Sequence, residues 1–73
     1  MIRSMELLPD ISFVILNYNG LEDTRELLIS IKNNLQDILY EVIVVDNGSK
    51  ADEYTELKNE FQEYIILKNQ ANL

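Results

Sequence analysis

Two short runs of apolar side chains, each closing on a polar turn, constrain this chain more than anything else in it. Ile11-Ser-Phe-Val-Ile-Leu16 leads into Asn17-Tyr18-Asn19-Gly20, and Val42-Ile-Val-Val45 leads into Asp46-Asn47-Gly48-Ser49. Nearly continuous rather than alternating hydrophobicity is the mark of parallel strands covered on both faces by helix layers. A third, weaker run is Tyr64-Ile-Ile-Leu67. Between the first two strands, Leu27, Ile31 and Leu35 repeat on one helical face with Leu28 beside them. Leu21 and Thr24 extend that stripe, so a helix is predicted from Leu21 to Leu35. Glu22, Asp23 and Glu26 occupy its first turns, where the helix dipole favours negative charge. Ser49-Lys-Ala-Asp52 resembles a capping box opening a second helix, in which Tyr54, Leu57 and Phe61 recur at three- and four-residue spacing.

Strands alternating with helices predict right-handed crossovers and one parallel sheet, an α/β fold of β-α-β-α-β form with strand order 3-2-1. That order leaves the first strand at an edge although its sequence is apolar, and natural proteins avoid exposed hydrophobic edges. Seventy-three residues also bury only about 60% of their unfolded surface. The expectation is therefore a truncated unit, with self-association through the open first-strand edge as the competing way to cover it. Residues 1–9 read as an N-terminal extension and 10–73 as one incomplete domain.

Composition narrows the chemistry. With neither Cys nor His, zinc fingers, thiol chemistry and Ser-His-Asp triads are excluded. Thirteen acidic residues against six scattered basic ones give a net charge of −7, so no stripe exists to neutralise a nucleic-acid backbone, and no nucleic-acid partner is expected. Leu7-Leu8 before Pro9 is too short for a signal-peptide core, and no run approaches the roughly 18 apolar residues of a membrane span. A cytoplasmic protein is the expectation.

In open parallel sheets, ligands bind outside the carboxyl ends of the strands. Those ends carry Asn17–Gly20, Asp46–Ser49 and Asn69-Gln70-Ala71-Asn72, three polar loops on one rim. Such residues also serve as ordinary turns and caps. Neither a dinucleotide glycine fingerprint nor a P-loop occurs, so a phosphate has no evident cradle and Asp46 would repel one. A carboxylate there suits a neutral donor instead, such as a ribose hydroxyl or the imide N–H of uracil or thymine. Tyr18 suits either stacking on such a base or packing on the helix it precedes. A receiver-like phosphoacceptor role for Asp46 would need further carboxylates, and Asn17-Tyr18-Asn19 supplies none.

The two strand-end motifs, in this order and spacing, together with Leu67-Lys-Asn-Gln-Ala-Asn-Leu73, resemble the start of a family 2 glycosyltransferase of the Rossmann-like GT-A fold. The resemblance covers about residues 10 to 73, and Asn-Tyr-Asn-Gly is similar to the subgroup described as rhamnosyltransferase-like. It implies a nucleotide-sugar-dependent transferase segment recognising the donor nucleoside. Tyr18 would contact the base, Leu16 and Asn17 would line the same pocket, Asp46 would hydrogen-bond the base, and Asn47, Gly48 and Ser49 would shape the turn. Asn72 falls where the family has an Asn before a glycine-containing stretch.

The family's D-x-D metal motif and its catalytic carboxylate have no counterpart in residues 1–73. Asp23, Asp37 and Asp52 read as solvated surface charges. A divalent cation, Mg or Mn, is expected only in the full-length enzyme, with none bound by this chain and no catalytic residue in it. The implied partners are a UDP- or dTDP-linked sugar donor and a saccharide or lipid-linked acceptor. The full-length enzyme would be cytoplasmic, or peripheral at the membrane. The alternative expectation is a catalytically silent nucleotide-binding or interaction module.

Overall fold

The structure, a computed structural model, describes residues 8–69. Five elements follow in order: β1 (Ile11–Asn17), α1 (Leu21–Asn34), β2 (Tyr40–Asn47), α2 (Glu53–Glu60) and β3 (Ile65–Asn69). All three strands are parallel and lie in the order β1-β2-β3, so β2 is central and β1 forms an edge as its place in the sequence predicts. Of the expected N-terminal extension, residues 1–7 lie outside the described part. So do Gln70, Ala71 and Asn72 of the third rim loop.

The β-branched residues of β2 give the sheet its centre. Val42 and Val44 point toward the helices and are buried with Ile66 of β3, Leu28 and Ile31 of α1, and Leu57 and Phe61 at α2 and its end. Burying each such side chain contributes on the order of 1.5–3 kcal/mol. Phe13, Ile15, Tyr40, Tyr54 and Tyr64 pack around this cluster. Below it, the Tyr40 ring meets Phe13 and Tyr64 edge-on, and the Phe61 and Tyr64 rings stack at 5.9 Å. An aromatic floor thus closes the amino end of the sheet, opposite the polar rim. Arg25 of α1 pairs with Glu60 of α2 at 2.7 Å and so ties the two helices together.

Both helices pack on one face of the sheet, which corrects the expectation of strands covered on both sides. The cause is topological. Two right-handed crossovers stepping the same way across a sheet must return on the same side. The other face therefore presents two lateral rows in register, Val14–Ile43–Ile65 and Leu16–Val45–Leu67. At the edge strand Val14 is 67% exposed and Leu16 70%.

Two local expectations also change. The inward stripe of α1 centres on Thr24, Leu28 and Ile31, while Leu27 is 45% exposed. One residue is about 100° of helix rotation, enough to turn Leu27 off the core. The second helix begins at Glu53, not near Ser49, because Asp52 is its N-cap and accepts from the Thr55 amide at 3.2 Å. Thr55 holds the Asp52 carboxyl below its usual range. Asp52 is exposed, as expected of it, yet does structural work.

Candidate functional site

The register of β1 on β2 sets Asn17 directly beside Asp46 at the carboxyl end of the sheet. Both side chains face the helices and both are buried, Asn17 to 1% and Asp46 to 2% exposure. Polar groups so placed must be paired, and these are. The Asn17 amide donates from Nδ2 to Asp46 Oδ1 at 3.0 Å and to Glu53 Oε1 at 2.8 Å, with Ser49 Oγ farther off at 3.4 Å. Its carbonyl oxygen accepts from Thr24 Oγ1 at 2.6 Å. Ser49 in turn donates to Asp46 Oδ1.

The two turns at this rim are clasped by Asn19. Its backbone adopts a φ of 51°, a left-handed conformation that Asn tolerates better than most residues. This brings its amide to Ser49 Oγ at 3.0 Å and its side-chain oxygen to the Lys50 amide at 2.8 Å. Gly48, with φ 80°, makes the reversal that returns Ser49 to the cluster, and a side chain at that φ would be strained. On the far side, Asn69 donates to Asn47 at 3.1 Å and joins the ends of β2 and β3.

Among the described residues, no buried side-chain polar atom lacks a partner. Asp46 Oδ1 takes two donors, whereas no protein donor reaches Oδ2. Oδ2 therefore keeps a marginal exposure, in a residue that is 2% exposed, and is the unengaged acceptor of this carboxylate.

The five sequence-derived candidates do not form one wall. Asn17 and Asp46 come together on the helix face. Leu16 and Asn47 occupy open-face positions of their strands, since successive strand residues point to opposite sides. Tyr18, in the loop one residue beyond Asn17, is 46% exposed. Thr24, Glu53 and Asn19 complete the cluster and were not among the candidates. A polar Thr within the apolar stripe of α1 was the available signal for Thr24, and its place in the first rim loop was the signal for Asn19; Glu53 carried none in the sequence.

An open depression of about 370 Å³ adjoins the cluster, lined by Asn19, Gly20, Leu21, Glu22, Asp23 and Glu53. Three carboxylates and no cation make it a poor seat for a phosphate. Among the described residues no group of three or more acidic or other ligating side chains is placed to hold a metal ion. No helix among the described residues is long and apolar enough to cross a membrane.

A parallel β-α-β-α-β sheet with its polar residues gathered at the carboxyl rim defines an α/β segment of the Rossmann-like class. The family model for glycosyl transferase family 2 matches residues 12–73, and the chain belongs to that family. No curated protein matches the chain, and no solved structure does. Family membership carries a glycosyltransferase-type function, with a nucleotide-sugar donor and an acceptor as the general partners.

Proposed function

We propose that this rim recognises the nucleoside of a nucleotide-sugar donor, within an enzyme that transfers the sugar to an acceptor hydroxyl. The observation that carries the reading is the state of Asp46: a buried carboxylate at the rim, held through Oδ1 by two donors, with no side-chain or backbone donor of the described residues on Oδ2. One fixed acceptor oxygen suits a single N–H lying between two carbonyls, as in the imide of uracil or thymine. A guanine edge, with two adjacent donors, would call on both oxygens. Tyr18 supplies an exposed ring at the end of the neighbouring strand for stacking against such a base. The acidic depression beside the cluster disfavours the diphosphate at the same place. The donor end read here is therefore the base.

Calorimetric titration of the chain with UDP, dTDP and GDP tests the reading. Heats of binding for the two pyrimidine nucleotides that exceed those for GDP support it. Equal binding of all three, or binding of none, contradicts it.

A further inference from the structure

Asn17 lies at the end of β1 where a ligand contact is expected, yet its side chain is buried and engaged by protein partners at both of its ends. Its two amide hydrogens go to Asp46 Oδ1 and Glu53 Oε1, its carbonyl oxygen takes the Thr24 hydroxyl, and it is 1% exposed. We infer that Asn17, oriented by Thr24, is a positioning residue that aims the Asp46 carboxylate at the ligand and does not itself touch it. The inference rests on the nucleoside reading above and assigns the inner support of that site.

The direction of the amide follows from charge. Flipped, its oxygen would face two carboxylates, and its NH2 would face the hydroxyl of Thr24. The two carboxylates therefore fix the orientation, with the NH2 group on Asp46 and Glu53, and the carbonyl oxygen left to accept from Thr24 at 2.6 Å. Hydrogen bonds to an ionised group are the stronger kind. Two donors on Oδ1, one from Asn17 and one from Ser49, set the plane of the carboxylate and with it the direction of Oδ2. Glu53 is the second carboxylate on the same amide, at the first turn of α2. The amide thereby keeps two like charges at a set separation and links β1, β2 and α2 at one point. Without it, Asp46 would retain Ser49 but could swing about that single contact.

A positioning role and a merely structural one separate on ligand discrimination. UDP carries the imide N–H, and UDP methylated on that nitrogen does not. The wild-type chain is expected to bind UDP about tenfold more tightly than the methylated form, the worth of one hydrogen bond to a charged group. In Asn17→Ala, UDP affinity falls toward that of the methylated ligand, whose own affinity stays as in wild type. Thr24→Val gives the same loss of discrimination, and Thr24→Ser, which keeps the hydroxyl, restores it. The Thr24 pair decides the matter if Asn17→Ala does not fold.

Variants that keep the wild-type preference overturn the role of Asn17 while leaving the nucleoside reading intact. Equal weakening of both ligands also overturns it, because general loosening of the fold acts on both. A wild-type chain that binds neither nucleotide, or does not distinguish them, overturns the nucleoside reading and this inference together.

Discussion

Asn17 Nδ2 stands 3.0 Å from Asp46 Oδ1, although the two residues are 29 positions apart in sequence. The bond is a consequence of register. Pairing Ile11 with Tyr40 at the start of the two strands carries through to Asn17 beside Asp46 at their ends. A shift of one residue would turn either side chain to the opposite face of the sheet. Continuous apolar strands thus do more than build the core; they deliver two polar residues to one point at the rim.

Asp46→Ala is expected to lower UDP affinity about tenfold, the worth of a hydrogen bond to a charged acceptor. Asn17 and Ser49 both retain Glu53 as an acceptor within reach, so the variant keeps its fold. Calorimetry paired with urea unfolding of the same protein checks the two halves. Unchanged affinity would make Asp46 a structural residue of the strand end only.

The core and the open face should respond oppositely to substitution. Leu57 is fully buried, so Leu57→Ala costs about 2–5 kcal/mol through lost burial and the cavity left behind. Val14 faces outward on the edge strand, and Val14→Thr should change stability by less than about 0.5 kcal/mol. Urea midpoints of the two variants measure the contrast, and a large loss from Val14→Thr would mean that the open face is covered.

Much of this architecture is legible in the residues themselves. Ile11–Leu16 and Val42–Val45 are apolar and rich in β-formers, as strands of a sheet core are, and their alternation with helical patterns dictates parallel pairing. Strand order follows from the rules of chain crossing. What the sequence pattern concealed was set by tertiary contacts. Ser49 looked like a cap because Ser caps helices, but its hydroxyl is engaged by Asp46 and the Asn19 amide, and Asp52 caps instead. Both strands' apolar continuity suggested two covered faces, yet both crossovers return on one side. Asn17 and Asp46 were legible as rim residues from their place after apolar runs. Glu53 was not, because a Glu in the first turn of a helix is ordinary.

That reassignment of the cap has its own test. Asp52→Ala should reduce helical far-ultraviolet circular dichroism and lower the melting temperature. Ser49→Ala should leave the helical signal in place while loosening the rim, seen as faster hydrogen exchange at the Asn19 amide, whose acceptor is Ser49 Oγ at 3.0 Å. Loss of helix from Ser49→Ala would restore it as the cap.

Stability should narrow at both ends of the pH scale. Burial, with a hydrogen bond to Tyr40, raises the Tyr64 hydroxyl above its ordinary value of 10.0. The native state then keeps a proton that the unfolded chain releases, so this contribution is full below about pH 10 and is lost as pH rises beyond it. Lys32 lowers the Glu63 carboxyl, and Thr55 lowers that of Asp52, from 4.5 and 3.8 respectively. Their contributions are present above those values and are lost as pH falls through the lowered ones. Melting temperatures measured from pH 3 to 11 should fall at both limits, and Tyr64→Phe should flatten the alkaline fall.

The most direct test of the central claim is a UDP titration of the isotope-labelled chain, followed through its backbone amide resonances. Recognition of the base at the rim predicts saturable shifts at Tyr18, Asp46 and Asn47, with the amino-terminal end of the sheet around Tyr40 unmoved, and in Asp46→Ala the Tyr18 and Asn47 shifts reached only at about tenfold higher UDP. Saturating UDP that leaves those three resonances in place, or shifts reached at the same UDP concentration in Asp46→Ala, would contradict it.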